Sequence, residues 1–171
     1  RKKIYLISSY NLIIDQLKKL NLPIKLKKVI SLNDEIKNHN LKIIDVPLKY
    51  KDPFNVSKKE SSYFVLNSLR LAHKFSLREK NVSGIINCPI NKTLLKKENI
   101  GVTEYLAKMC GIKNHSEVML LKSKKISVVP ITTHIDLNKV SKNINSKIIF
   151  KKILTLNNWF RKKIKIKPKI C

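Results

Sequence analysis

The apolar residues of this chain change period repeatedly, and that alternation restricts the fold more than any other feature. Residues 3–8 (KIYLIS) read as a strand, after which Leu12, Ile13, Leu17 and Leu20 recur at helical spacing and stop before Pro23. Short strands follow at about 25–30 and 41–48. The next helix carries its own start signal: Ser57 is followed three residues later by Glu60, the capping-box spacing that satisfies free N–H groups of a first turn. Phe64, Leu66, Leu69, Ala72 and Phe75 then give it an apolar face that runs to about Lys80. The segment 82–88 is an apolar strand that stops at Pro89, and 102–110 is a short helix between Gly101 and Gly111. Residues 117–133 predict two strands joined by a Lys/Ser turn. Helices at 136–144 and 146–162 follow, and KPKIC opens another strand. Strands alternating with helices predict an α/β domain with a mixed, mostly covered sheet. No repeat, low-complexity linker or internal boundary marks residues 1–171. Cys171 falls where a strand begins, which predicts that the sequence is an internal piece of a longer one.

At 171 residues and 43% hydrophobic content, the chain has the size and apolar material for one core. No run of about 20 apolar residues exists, which argues against a membrane-spanning helix. The basic N-terminus precedes an apolar run broken by Asn11 and Asp15, a pattern better suited to a strand than to a signal peptide. Three scattered cysteines, Cys88, Cys110 and Cys171, have neither disulfide nor zinc spacing and point to a reducing, cytoplasmic setting. A net charge of +26 suggests nucleic acid, and the densest basic stretch is RKKIKIKPK at 161–169, with no acid after Asp136. Against this, lysine is spread everywhere and the 6% of aromatic residues do not interleave with it as a stacking platform would. A solvated surface is the simpler reading, and a basic nucleic-acid-binding domain stays as the alternative.

All three glycines, Gly84, Gly101 and Gly111, lie in the middle of the chain, where they imply backbone freedom or close approach. With so few, neither a GxGxxG nor a GxxxxGK[ST] loop can form, so a nucleotide would need some other arrangement. Candidate sites fall at element junctions. Asn91 and Lys92 follow the strand 82–88 where the chain turns toward a helix, and a lysine beside free helical N–H groups can seat an anion. A surface lysine explains Lys92 equally. Thr103 and Glu104 suit a helix start, the threonine as N-cap and the acid in the first turn. ISVVPITTH (126–134) has apolar side chains on both faces, as in a covered strand, which would set His134 at its carboxyl end, where open α/β sheets bind ligands. An imidazole there can ligate a divalent metal, or simply bond to backbone.

Three of these segments in order, GIINCPINK (84–92), GVTEYLA (101–107) and ITTHIDL (131–137), resemble the 4-hydroxythreonine-4-phosphate dehydrogenase family of vitamin B6 (pyridoxal 5'-phosphate) synthesis, with its G-P-[IV]-x-K, G-H-T-E and T-T-H-x-x-L patterns. The resemblance is clearest over 82–137. It implies a three-layer α/β/α fold of the isocitrate and isopropylmalate dehydrogenase type, in two-domain subunits paired as homodimers. It also implies NAD as cofactor and a divalent metal (zinc, magnesium or cobalt) held by three histidines. By the resemblance His134 is the first metal ligand, Thr103 contacts substrate and Lys92 is the lysine of the G-P-x-x-K loop. The substrate would be 4-phosphooxy-L-threonine, oxidised at its 3-hydroxyl and then decarboxylated. Val102 stands where the family has a substrate-contacting histidine and cannot hydrogen-bond, which opens the alternative of a related phosphorylated threonate or erythronate. The family's glycine-rich opening loop, its other two metal histidines and most NAD contacts have no counterpart in these 171 residues, so the chain alone is expected to be inactive.

Overall fold

The computed structural model describes residues 3–32, 40–91, 93–95, 101–112, 116–133 and 135–171. The chain divides into two compact units, 1–101 and 102–171, at a point that no composition shift marks.

Unit 1 is built on three parallel strands, β1 (Tyr5–Ser8), β2 (Leu26–Val29) and β3 (Leu41–Asp45), in the order β1-β3-β2. The register pairs Ile7 with Ile44 on one side of β3 and Val29 with Ile44 on the other. The central position explains why β3 is apolar on both faces: Ile43 is 0% exposed and Ile44 is also buried. The edge strand β2 instead carries exposed Lys27 and Lys28, charges that discourage pairing with another chain.

Helix α1 (Tyr10–Lys19) starts one residue after β1. Ser9 is its N-cap and accepts the Leu12 N–H. Its C-terminus closes by a Schellman arrangement: Leu22 N–H reaches Leu17 O and Asn21 N–H reaches Lys18 O, with Asn21 at φ 52°. Asparagine tolerates that left-handed backbone better than most residues, which ends the helix just before Pro23. Helix α2 (Lys58–Arg78) starts where the capping box predicts, with Ser57 Oγ accepting the Glu60 N–H at 3.3 Å. It packs against β1, and α1 packs against β3. Leu12, Leu69 and Leu95 complete the core with Val29, Ile43, Ile44 and Val46.

Unit 2 is mostly helical. Helix α3 (Val102–Met109) ends on Gly111 at φ +68°, again as a Schellman motif with Ile112 N–H on Ala107 O and Gly111 N–H on Lys108 O. A hairpin with a four-residue loop (123–126) joins the two-residue strands β4 (Leu121–Lys122) and β5 (Ser127–Val128), its turn held by Ser123. A 3-10 turn (Leu137–Lys139) leads into α4 (Val140–Asn143) and α5 (Ser146–Trp159), the latter capped by Asn145 and extended by a π turn, Phe160–Ile164.

Four expectations need correction. Residues 82–91 form no strand, and Ile86 is 92% exposed. The two covered strands expected over 117–133 shrink to the exposed β4–β5 hairpin. KPKIC is irregular rather than a strand. The sheet is therefore a three-stranded parallel one plus a hairpin, not a single mostly covered mixed sheet. One cause runs through them: a strand exists only when another backbone takes its hydrogen bonds, and among the described residues 82–91 and 167–171 have no ladder partner while β4 and β5 find only each other. The glycine reading holds at Gly111 and fails at Gly84, around which there is open space.

Candidate functional site

Of the four positions singled out, Lys92 and His134 lie outside the described residues, while Val102 and Thr103 lie inside them. Helix α3 begins at Val102, so Thr103 is its second residue and not the N-cap that its residue type suggested. Its side chain is exposed and Val102 is half-buried. Glu104 falls in the first turn, where a carboxylate suits the positive end of the helix dipole. The first turn thus carries an exposed threonine and a half-buried valine at adjacent positions.

The residues that flank Lys92 in sequence, Asn91 and 93–95, are described. Asn91 Oδ1 accepts the Thr93 N–H at 3.0 Å and Asn91 O accepts the Leu94 N–H at 2.9 Å, so Asn91 starts a 3-10 turn over 93–95. That turn is fastened to α2, because Ser62 Oγ donates to Leu94 O and Leu95 is 1% exposed. Thr93 Oγ1 is buried with no hydrogen-bond partner among the described residues, a polar group that sequence reasoning did not single out.

The approach to His134 differs from the expected strand end. Strand β5 stops at Val128, Pro130 cannot donate to a ladder, and Ile131–Thr133 are half-buried in a bend. Just beyond, exposed Asp136 pairs with Lys139 at 2.6 Å. No three His, Cys, Asp or Glu side chains gather to hold a metal among the described residues. A catalytic metal site needs about three protein ligands. The described residues do not supply that set.

The strongest electrostatic features lie in unit 1 and had no local sequence signal. Asp45, at the carboxyl end of β3, accepts the Tyr10 N–H at 2.9 Å and Lys28 Nζ at 2.5 Å. Partial burial pushes its carboxyl up, but those two hydrogen bonds and the lysine charge outweigh burial and hold its pKa below the usual value. Tyr50 donates to Asp15 at 2.7 Å, and burial, with that carboxylate, pushes the phenol to about 12. In unit 2, Lys152 is 6% exposed and donates to Glu117 O at 2.7 Å. A shallow depression is lined by Arg161, Lys165, Ile166 and Lys167.

These features define an α/β protein whose first unit is built on a three-stranded parallel sheet. That fold is shared with a solved 4-hydroxythreonine-4-phosphate dehydrogenase from Burkholderia phymatum, at a TM-score of 0.77 and 20% identity over 92% of this chain and 48% of that one. The family model described as Pyridoxal phosphate biosynthetic protein PdxA matches residues 1–171, and the chain belongs to that family. Relatives agree. The 4-hydroxythreonine-4-phosphate dehydrogenase of Sulfurihydrogenibium sp. is 29% identical over 98% of this chain and 52% of its own length. That of Aquifex aeolicus is 39% identical over 53% of this chain and 28% of its own length. The chain spans about half the length of the curated relative it matches from end to end.

Proposed function

We propose that this chain is part of an NAD-dependent dehydrogenase that oxidises 4-phosphooxy-L-threonine on the route to pyridoxal 5'-phosphate. The observation that carries the reading is the family match over residues 1–171, joined to relatives that bear the name 4-hydroxythreonine-4-phosphate dehydrogenase. In the reaction a hydride leaves C3 of the substrate for the nicotinamide as the 3-hydroxyl gives up its proton. The resulting β-keto acid then breaks its bond to the carboxyl carbon and releases carbon dioxide. In this reading Thr103 offers its exposed hydroxyl to the substrate and Lys92 offers a cation to an anionic group beside the turn that Asn91 starts. Such contacts fix the carbon that surrenders hydride. His134 is assigned to a divalent metal together with histidines from the rest of the protein. A homodimer and a cytoplasmic location belong to the same reading.

The test is NADH formation, followed by absorbance. The whole gene product should turn over 4-phosphooxy-L-threonine, and the 171-residue chain should not. No turnover by the whole product would overturn the reading. Val102 favours a second substrate within the same reaction class, a phosphorylated threonate or erythronate, because an apolar side chain replaces a hydrogen-bonding one. Profiling the three substrates side by side separates them. The basic depression around Arg161, Lys165 and Lys167 supports a reading of another class, nucleic-acid binding. It requires salt-sensitive affinity above that of a scrambled lysine-rich control.

A further inference from the structure

Helix α5 turns one face inward and leaves the other bare. Lys152 is buried and donates to Glu117 O at 2.7 Å, which fixes its side of the helix toward the segment that leads into β4. Ile148, Ile149 and Leu156 are half-buried on that same side. Phe150, Ile153 and Leu154 recur at the i, i+3, i+4 spacing of a single helix face, and all three are exposed. Apolar side chains aligned in this way form a stripe suited to packing against another element. The β4–β5 hairpin lacks a cover too. Leu121 and Val128 are register partners, so they share one face of the ribbon, and both are exposed. A ribbon of two such short strands is marginal unless a further strand joins it or a helix covers its apolar face. Among the described residues this sheet gains no third strand.

Length and charge narrow what covers these surfaces. The chain spans 52% of the relative that it matches over 98% of its own residues, so that relative carries nearly as much polypeptide again. A second copy of this chain is the poorer fit. A two-fold contact along the stripe would set Lys147 and Lys151, which flank Leu154 on the helix, against their own counterparts. Residues 137–171 hold no acid to offset them. We propose that the α5 stripe and the Leu121–Val128 face of unit 2 are the docking surface for the remainder of the same polypeptide. Unit 2 is then completed by residues beyond these 171, whereas unit 1 already seals its central strand. The inference rests on burial and length and not on the dehydrogenase chemistry.

Hydroxyl-radical footprinting of the whole gene product, read by peptide mass spectrometry, tests this without any substitution. Leu121 and Leu154 should oxidise as slowly as Leu95, a leucine buried in unit 1, and Phe150 should lose most of its reactivity. In the 171-residue chain the same three side chains should oxidise freely. Free oxidation of either leucine in the whole product, or protection of both in the chain alone, would overturn the proposal. Protection that disappears on dilution assigns the faces to a second copy and overturns it as well. A second readout is thermal. Leu154→Lys in the whole product should lower its melting temperature by several degrees or prevent folding. At an exposed helix position that change is nearly neutral, so an unchanged melting temperature contradicts docking there. Neither readout involves NADH, so the dehydrogenase reading can fail while this one stands.

Discussion

Unit 1 and unit 2 are built from similar proportions of apolar residues but bury them very differently. Unit 1 has a sheet whose central strand is sealed on both faces, with Ile43 at 0% exposure and helices against the neighbouring surfaces. Unit 2 buries Tyr105, Ala107 and the stem of Lys152, while Leu137, Phe150, Leu154 and Trp159 remain exposed. A parallel sheet brings residues distant in sequence together and so makes a core by itself. A series of helices with a short β-hairpin does so only when something covers its apolar faces. Burial, not composition, sets how much each unit contributes to stability, because only apolar area removed from water counts.

The largest expected effect separates the two units directly. Ile43→Ala should cost about 2–5 kcal/mol through lost burial and the cavity left behind. Phe150→Ala, at 65% exposure, should cost about 0.5 kcal/mol or less. Urea midpoints of the two variants check this, and equal losses would break the comparison. Gly111→Ala comes next. Nothing crowds a Cβ there, so the whole effect is the left-handed backbone at φ +68°, worth about 1 kcal/mol. The unfolding free energy read from the helical signal should fall by that amount, and a neutral result would show that the end of α3 is free to rearrange.

The smallest effect is a pH dependence. The folded-state pKa of Asp45 lies below its unfolded value. Its contribution is therefore fully present above the unfolded carboxylate range, near pH 4, and is lost as pH falls through the lower folded value. Asp45→Asn should flatten the acid limb of the unfolding curve without changing its slope at neutral pH. An unchanged acid limb would mean that the carboxylate gains nothing from Lys28 and Tyr10.

Helices were legible in the sequence because they satisfy their hydrogen bonds internally and announce their ends locally. Ser57 and Glu60 located the start of α2, and Gly111 the end of α3. The strands β1, β2 and β3 were legible too, since each found a partner. The run at 82–88 and the stretch before His134 read equally well as strands, yet apolar alternation records only which side chains favour burial. It cannot say that a neighbouring backbone is there to receive them. The pairs Asp45–Tyr10, Tyr50–Asp15 and Lys152–Glu117 span about 35 residues each and leave no local pattern at all. The candidate site was read from motif order rather than from periodicity. Within it, Thr103 was placed two steps too early, as a cap, because residue type reports helix-start preference without fixing the first helical residue.

The measurement that bears most directly on the account is divalent-metal binding by the whole gene product with and without His134→Ala. Calorimetric titration with zinc, magnesium and cobalt should show at least one of the three binding with a loss of about tenfold or more in the variant, with NADH formation falling alongside. Equal metal affinity in both proteins would contradict the assignment of that imidazole, and with it the chemistry proposed for this chain.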